Sequence, residues 1–577
     1  MSETSYWQRT TGGRGLNRRA FLRSAAVTGV GAAAFLAGCK SSDTGTPSGG
    51  SATGGAASSG AGIFAHPQAK RGGTITDVGL DPTTGWDPHG NIGYLTGTIT
   101  EPLAIKLIRH DYTGLKTKWS TGNEELIVGE LAEKWESPDA LTYNMTLRKG
   151  VKWPDQEPMK GREITAKDVV YNFKHYQLPS SQVQTWVANN IKSVTAIDDS
   201  SVQFKLNRPS WRWLGDLDSY NTAIQPEGLY EWAGGDVKEA TKARGGGPWI
   251  LDDYAAGSVA RFKPNENYRK YFGVPYADRL NVAILATGAP RLQAWVSKQT
   301  QFYAVQPGEL DSAKKARPEA PMTSNFAATN TNALFFQMNQ KPFDDIRVRR
   351  AMSQAIDRDG WGKTLQFEYK FESGPITWGF PTWKLDYTKM PADVQQWLKF
   401  DPANSKKLFD AAGITAANNF TVHMYPYTPG YTPEVQLLMD QLGKAGMKTT
   451  LKVYDYNNWL ATAYTGKYND ILYGPDNLDR VTQQFADRFT PKGERNHSNV
   501  DDAEMTKMLK DFESVKGATE AKPISEAMQT RSVDQAFAVY RPQPVSPLMW
   551  DPTIQNYDGQ GQIYYQQYYR DAFNWIA

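Results

Sequence analysis

The chain has 577 residues, 22% of them charged and 40% hydrophobic, and its formal net charge is +3. This near balance excludes the strongly basic surface that binding to nucleic acid or anionic lipid requires. The length predicts more than one domain. One cysteine and six scattered histidines exclude an intrachain disulfide and a cysteine–histidine metal site, so we expect neither a cofactor nor a metal.

Residues 1–38 have the pattern of a secretory signal peptide. Arg18 and Arg19 precede a stretch of small and apolar residues at 25–38, and Cys39 ends the run Leu-Ala-Gly-Cys. The stretch is shorter than the ~20 residues of a membrane-spanning helix. The paired arginines resemble the twin-arginine export signal, and the run before Cys39 resembles the lipobox of bacterial lipoproteins. We therefore predict export and a lipid anchor at Cys39, on the outer face of the cytoplasmic membrane.

Residues 41–62 read SSDTGTPSGGSATGGAASSGAG and hold almost no large apolar side chain. Such a segment cannot offset its ordering entropy and is predicted to be disordered. As a Gly/Ser coil it reaches roughly 25 Å on average. We predict that residues 39–70 form a lipidated tether and that the folded part begins at about Lys70.

The folded part alternates between strand and helix patterns. Apolar residues alternate with polar ones over 141–147, which predicts a half-buried strand. Thr165 and Asp168 have the spacing of a capping box and predict a helix start. Residues 333–338 are predicted to form a buried strand, followed by a helix that Asp344 caps. The outer face of that helix is predicted to carry Arg347, Arg349 and Arg350.

A later segment predicts half of an α/β unit. Thr432 is predicted to cap a helix whose first residue is Pro433. Gly446 is predicted to end this helix in the left-handed conformation, and residues 447–453 are predicted to form the strand that follows. Units of this kind form open sheets whose ligands bind beyond the strand ends. The fold class predicted from these patterns is α/β.

Four stretches resemble, in order, the extracellular solute-binding proteins of peptide- and nickel-type ABC importers, solute-binding protein family 5. They are residues 131–170 with LAEKWE, LRKGVKW and ITAKDVV, residues 245–249 (GGGPW), residues 341–358 (KPFDDIRVRRAMSQAIDR) and residues 441–448 (QLGKAGMK). Their joint order behind a lipoprotein signal identifies the chain as similar to this family.

The resemblance implies a two-lobed, class II periplasmic-binding-protein-like fold with an extra subdomain on the first lobe. It implies lobe I at residues 71–330 with the subdomain at about 101–185, lobe II at residues 331–540, and a return to lobe I at residues 541–577. A ligand would bind between the lobes by hinge closure, and an ABC permease would recognise the closed form. The family implies no covalent chemistry, so we expect a binding protein, not an enzyme, and a monomer.

The resemblance also implies an anchor for the ligand. In peptide-binding members a carboxylate meets the α-ammonium of the ligand, and in the run LYGPDNLDR at residues 472–480 that position is Asp476. Asn477 and Arg480 depart from the family pattern. The alternative is that Asp476 caps a helix over residues 481–488.

The other predicted ligand-binding residues flank Asp476 or are aromatic: Tyr473, Gly474, Trp459, Phe336, Tyr94, Trp378 and Trp550. Trp459 matches a tryptophan of the family's cleft, and Tyr94 follows an early loop that meets ligand backbone. Core packing is the alternative for Trp459 and for Phe336, which lies on the first crossing between lobes. Trp378 and Trp550 are predicted from composition and position.

The predicted function is a lipid-anchored solute-binding protein that captures a small extracellular solute, by default a peptide, and delivers it to an ABC permease. An oligosaccharide stays open as ligand because sugars stack on tryptophan and the chain has 18 of them. A metal chelate is a weaker option, since no histidine falls at a matched ligand position. A sensory lipoprotein and an exported enzyme are alternatives of another class. Against an enzyme, the sequence contains neither G-x-S-x-G nor H-E-x-x-H.

Overall fold

The computed structural model describes residues 62–81, 85–90, 94–111, 127–139, 141–178, 190–218, 222–323, 330–371, 374–377, 380, 382–415, 417–426, 430–463, 466–477, 481–486, 488–491, 493, 495–515, 517–557 and 571–577. The predicted export signal at Arg18 and Arg19, the lipidation site Cys39 and the ligand candidate Trp378 lie outside the described residues.

The strands of the described part are β1 (Thr74–Gly79), β2 (Ile108–His110), β3 (Ile127–Gly129), β4 (Ala132–Glu136), β5 (Thr142–Leu147), β6 (Ile191–Asp198), β7 (Ser201–Leu206), β8 (Trp249–Ala255), β9 (Val259–Pro264), β10 (Arg279–Ile284), β11 (Phe302–Ala304), β12 (Asn330–Phe336), β13 (Tyr369–Lys370), β14 (Asn419–Met424), β15 (Lys448–Val453), β16 (Ile471–Asn477), β17 (Val539–Tyr540), β18 (Gln543–Pro544), β19 (Leu548–Trp550), β20 (Ile554–Gln555) and β21 (Trp575–Ile576). The α-helices are α1 (Tyr94–Thr100), α2 (Ala166–Tyr176), α3 (Trp213–Asp216), α4 (Leu229–Trp232), α5 (Glu266–Phe272), α6 (Ala289–Val296), α7 (Leu310–Ala316), α8 (Ile346–Gln354), α9 (Trp361–Leu365), α10 (Ala392–Gln395), α11 (Pro402–Ala411), α12 (Tyr431–Lys444), α13 (Tyr456–Ala463), α14 (Val481–Ala486), α15 (Ala503–Ser514) and α16 (Ala518–Asp534).

Two four-stranded sheets organise the first half of the chain. One has the strand order β1-β10-β9-β8, with β1 parallel to β10 and the other pairs antiparallel. The other is antiparallel with the order β4-β5-β7-β6. The subdomain limit predicted at residue 185 is wrong, because it would separate β4 and β5 from the strands over 191–206 that complete their sheet.

A five-stranded sheet with the order β15-β14-β16-β12-β17 organises the second half. Strand β14 is parallel to β15 and to β16, while β12 is antiparallel to β16 and β17. Buried residues cover both faces. Leu334, Phe336 and Tyr473 belong to the cluster on one face, and Ala333, Phe335 and Leu472 to the cluster on the other. This alternation is the period of two that a strand imposes on its side chains.

The largest buried cluster draws its residues from positions 64–302 and 550–575, whereas the two clusters on the five-stranded sheet lie within 333–540.

The packed part of the chain begins before Lys70, the start predicted from the sequence. Phe64 is buried, its ring stacks on Phe272 with centroids 5.0 Å apart, and the Arg109 guanidinium lies 3.7 Å from its ring centre. The tether predicted over 39–70 is therefore too long at its C-terminal end.

A buried charge cluster holds together the segments around Lys106. Its ammonium lies 2.8 Å from Glu101 Oε1 and also pairs with Asp218, and all three side chains are fully buried. The Lys106 backbone N–H donates to Glu130 Oε2 at 2.7 Å. Burial raises the pKa of Glu101 to about 7, and the neighbouring ammonium partly opposes that rise.

The helix predicted after Thr165 and the strand before it are confirmed. Strand β5 covers Thr142–Leu147, and α2 begins directly after Thr165. The Thr165 backbone N–H donates to the Asp168 carboxylate at 2.9 Å, as a capping box requires.

Two details of helix α8 were predicted wrongly. Asp345, not Asp344, is its cap and accepts from the Arg347 backbone N–H. Arg349 is buried, because its guanidinium donates to the carbonyls of Phe343 and Gln535 at 2.8 and 2.9 Å. Backbone carbonyl groups that have no partner within their own helix or turn thus accept hydrogen bonds from Arg349 and stabilise its charge in the core.

The predicted half α/β unit is present. Helix α12 leads through Gly446, whose φ is +103°, into β15, which pairs in parallel with β14. The helix begins at Tyr431 after Gly430, so Thr432 is not its cap, and Pro433 is not its first residue. In the part of the chain that the structure describes, every helix is too short or too polar to span a bilayer.

Candidate functional site

The carboxyl ends of two parallel strands, β14 and β15, lie beside β16 at one edge of the five-stranded sheet, and β16 continues beyond that level to Asn477. Met424 of β14 is level with Val453 of β15 and with Tyr473 of β16. The residues that follow directly are Tyr425, Tyr454 and Gly474. In open α/β sheets this edge is where ligands bind. We therefore take this edge as the candidate site.

Trp459 packs against the backbone of β16 at this edge. A Cβ atom at residue 474 would lie 2.9 Å from Cζ2 of the Trp459 indole, so only glycine admits the ring. Trp459 is 2% exposed and shares a buried cluster with Leu472, so the structure agrees with the alternative prediction that it packs in the core. Residue 476 lies two positions beyond Gly474 in the same strand. The structure thus places Trp459 on Gly474, two residues before Asp476, and the ligand contacts of all three residues stay predictions.

The capping interpretation of Asp476 is wrong. Strand β16 continues to Asn477, and α14 begins at Val481. Asp476 therefore belongs to the strand and does not occupy the position directly before the helix, where an N-cap residue must lie.

Two aromatic residues of this edge were not predicted. Tyr454 is half-buried, with its ring centre 6.5 Å from that of Trp459, and Tyr425 is half-buried against the same cluster. Burial raises the pKa of the Tyr425 hydroxyl, so it stays neutral near pH 7. The signal that could have found them is their position, since each directly follows the last residue of a parallel strand.

Tyr473 lies on the opposite face of the sheet from Trp459, because neighbouring strand residues alternate between faces. Its hydroxyl donates to Glu434 Oε2 at 2.7 Å, and the Tyr369 hydroxyl donates to Glu434 Oε1 at 2.9 Å. Arg541 Nη2 lies 2.8 Å from Glu434 Oε2, with both side chains buried. The predicted ligand contact of the Tyr473 side chain is therefore wrong. The Tyr473 side chain instead connects β16 to Glu434 of α12 and, through Glu434, to Arg541, which directly follows β17.

Phe336 was predicted to line the cleft or to pack in the core, and the structure places it in the core. It is fully buried, and its ring stacks on Phe343 with centroids 5.9 Å apart. It pairs with Ile471 at the amino end of β16, five residues before Asp476. Cleft lining is thus the wrong interpretation, because the ring faces α8 and its neighbours.

Trp550 belongs to the large cluster of the first half of the chain. It is 8% exposed, pairs with Phe302 across β11 and β19, and packs edge-on against Tyr557 with centroids 5.2 Å apart. These contacts account for its burial, and its ligand contact stays a prediction.

Residues 85–90, which precede Tyr94 in the chain, are held by a cluster of buried polar side chains. The Tyr230 hydroxyl donates to Asp87 Oδ1 at 2.8 Å, and His89 Nε2–H donates to the Ala223 carbonyl at 3.0 Å. Burial lowers the pKa of His89 to about 3, so its ring is neutral at physiological pH. Tyr94 begins α1, with its side chain outside the described part, and its ligand contact stays a prediction.

Two histidines lie near the candidate site. His423 Nδ1 is 2.8 Å from the Tyr454 hydroxyl, and His497 packs edge-on against Phe335. Within the described residues, no group of three or more His, Cys, Asp or Glu side chains is placed to hold a metal ion.

The model of the bacterial extracellular solute-binding proteins, family 5 (Middle), matches residues 127–495, which is more than half of the chain. This protein belongs to solute-binding protein family 5. The matched region includes β16, Trp459 and the strand edge described above. The family resemblance of the four sequence stretches is thereby confirmed.

Individual relatives agree with this assignment. The dipeptide-binding protein of Escherichia coli K12 is 27% identical over 398 residues, covering 63% of this chain and 71% of that protein. DppA of Helicobacter pylori, solved in complex with the peptide STSA, matches with a TM-score of 0.73 at 18% identity, covering 88% of this chain and 98% of DppA. MoaA of A. tumefaciens R10, solved with mannopinic acid, matches with a TM-score of 0.71 at 19% identity, covering 88% of this chain and all of MoaA.

These structural matches confirm the predicted fold class, the mixed α/β, two-lobed fold of periplasmic binding proteins. At such low identities the likeness concerns the fold alone. The family model describes extracellular solute-binding proteins.

Proposed function

We propose that this protein is a lipid-anchored receptor that captures a peptide outside the cytoplasmic membrane and delivers it to an ABC-type permease. The observation that carries the proposal is the strand edge at which Trp459 packs on Gly474, two residues before Asp476. Family membership and the names of relatives such as the dipeptide-binding protein support a peptide as the ligand. The run Leu-Ala-Gly-Cys that ends at Cys39 resembles a lipobox and supports the anchor.

The chemistry of a peptide suits this edge. A desolvated α-ammonium needs a countercharge, which Asp476 would supply, and the tyrosines would pack against side chains of the ligand. Micromolar capture requires about −8 kcal/mol. Contacts to the peptide backbone, partly through water, supply such an energy with loose selectivity for side chains.

Capture would proceed by hinge closure between lobe I, residues 71–330 with 541–577, and lobe II, residues 331–540. The buried clusters support this division, because the largest one joins residues 64–302 to 550–575 while those of the five-stranded sheet lie within 333–540. The ligand shifts the equilibrium toward the closed form because it touches both lobes only there. No covalent step is required.

Replacement of Asp476 by alanine tests the proposal. Titration calorimetry of residues 40–577 with tri-alanine is expected to show binding that Asp476→Ala weakens about 30-fold or more, because the ammonium loses its countercharge. Asp410→Ala is the matched control, since Asp410 pairs with Lys406 on the exposed face of α11. Equal affinities of Asp476→Ala and the control would refute the anchor.

An oligosaccharide is the second candidate ligand. The observation that favours it is the pair of half-buried aromatic residues at the edge, Tyr454 and Tyr425, because sugars stack on such rings. The same titration with cellotriose separates the candidates. Binding of cellotriose without binding of tri-alanine would replace the peptide by a sugar and leave the hinge mechanism in place.

A further inference from the structure

A contact joins the first half of the chain to the second, outside the candidate site. Trp211 follows β7, and its indole Nε1–H donates to the Phe512 carbonyl at 2.9 Å. Its ring stacks on Trp383 with centroids 5.6 Å apart and packs edge-on against Phe512 at 5.8 Å. Arg208, three residues earlier, forms an ion pair with Glu513. These five residues are called the interlobe contact below.

The second half of the chain presents the C-terminal end of helix α15 to this contact. Phe512 and Glu513 belong to the last turn, where carbonyl groups lack partners within the helix and a negative charge is unfavourable. Trp211 supplies an N–H donor to one of these carbonyls, and Arg208 supplies a positive charge to the carboxylate. The two surfaces are therefore complementary in hydrogen bonding and in charge.

Each side of the contact is fixed to its own half of the chain. The Arg208 backbone N–H donates to Asn190 Oδ1 at 3.2 Å, beside the sheet of β4 to β7. The Trp383 carbonyl accepts from Gln529 Nε2 of α16 at 2.8 Å. Trp383 is 4% exposed and Phe512 is fully buried. Separation of the halves would expose these rings to water and would break the ion pair.

We propose that the interlobe contact forms only when the lobes are closed and that it determines ligand affinity by stabilising the closed form before a ligand binds. This inference rests on the hinge closure proposed above. A protein that already populates its binding-competent form pays less of the conformational cost of closure, so its apparent affinity is higher. In this proposal the five residues act on ligand affinity through the equilibrium between the open and closed lobes.

Solution scattering of the ligand-free protein, with tri-alanine titration in parallel, tests the contact. Trp211→Ala is expected to increase the radius of gyration without ligand and to weaken tri-alanine binding about threefold to tenfold, because a ring stack and a hydrogen bond are lost. Arg208→Glu is expected to change both quantities in the same direction. The double variant Arg208→Glu with Glu513→Arg should restore both, since it re-forms the pair with exchanged charges.

The matched control is Arg261→Glu, which removes an ion pair with Asp253 between neighbouring strands of one sheet. It should leave the radius and the affinity unchanged, and circular dichroism should show that every variant is folded. A radius of gyration that is the same in Trp211→Ala, Arg208→Glu and the wild type would overturn the proposal. If tri-alanine fails to bind even the wild type, the peptide assignment fails, whereas the ligand-free radius still decides whether the contact holds the lobes together.

Discussion

Replacement of Glu434 by alanine is expected to lower the free energy of unfolding by about 3–5 kcal/mol, because it leaves the Arg541 guanidinium without its counter-ion in the core. Both side chains are almost completely buried, with 2.8 Å between Arg541 Nη2 and Glu434 Oε2. Tyr369 and Tyr473 also donate to the carboxylate, so their hydroxyl groups lose their acceptor at the same time. The change can be measured by urea unfolding followed by circular dichroism.

The control for Glu434 lies on the same helix. Asp440 of α12 pairs with Lys444, and both side chains are exposed. Asp440→Ala is expected to change the free energy of unfolding by less than about 1 kcal/mol, because water screens exposed pairs. Similar losses in the two variants would contradict the role assigned to the buried cluster. Glu434→Ala should also weaken tri-alanine binding. Tyr473 loses its hydrogen-bond acceptor in this variant, and it directly precedes Gly474 of the candidate site.

Replacement of Lys106 by methionine is expected to lower the free energy of unfolding by about 3–5 kcal/mol at pH 8, because it leaves buried carboxylates without their ammonium partner. Glu101 and Asp218 pair with Lys106, and all three side chains are fully buried. Burial already raises the pKa of Glu101 to about 7, and loss of the ammonium removes an interaction that lowers it. Methionine keeps most of the volume of the lysine side chain, so the loss reports charge.

The pH dependence separates this charge effect from a packing defect. A carboxyl group whose pKa is raised in the folded state is protonated there before it is protonated in the unfolded chain, so acid relieves the uncompensated charge. The deficit of Lys106→Met is therefore expected to shrink between pH 8 and pH 5. Lys263→Met, which removes a partly exposed pair with Asp252, is the control and should cost less than about 1 kcal/mol. A deficit in Lys106→Met that is independent of pH would contradict the assignment.

Local patterns predicted the elements whose signals lie within a few residues. The alternation over 141–147, the capping box at Thr165 and the glycine turn at Gly446 all reappear in the structure. Errors arose where distant partners decide. Arg349 looked like a surface residue, yet carbonyl groups of Phe343 and of Gln535, far along the chain, hold it in the core. No local pattern contains that information.

The candidate site was predicted in part for the same reason. Family resemblance marked Asp476, Gly474 and Trp459, and the structure places Trp459 on Gly474, two residues before Asp476. It also marked Tyr473, but the alternation of strand side chains turns its hydroxyl toward Glu434. Tyr425 and Tyr454 were missed because only the parallel pairing of β14, β15 and β16 brings the ends of distant strands to one edge. Strand order is a property of the assembled sheet.

The central claim is that two lobes close around a peptide that they do not alter. Small-angle scattering of residues 40–577, recorded without ligand and at saturating tri-alanine, tests it most directly, with mass spectrometry of the recovered peptide. We predict a smaller radius of gyration with ligand and an intact peptide. Saturation by tri-alanine, confirmed by calorimetry, with an unchanged radius or a cleaved peptide would contradict the claim.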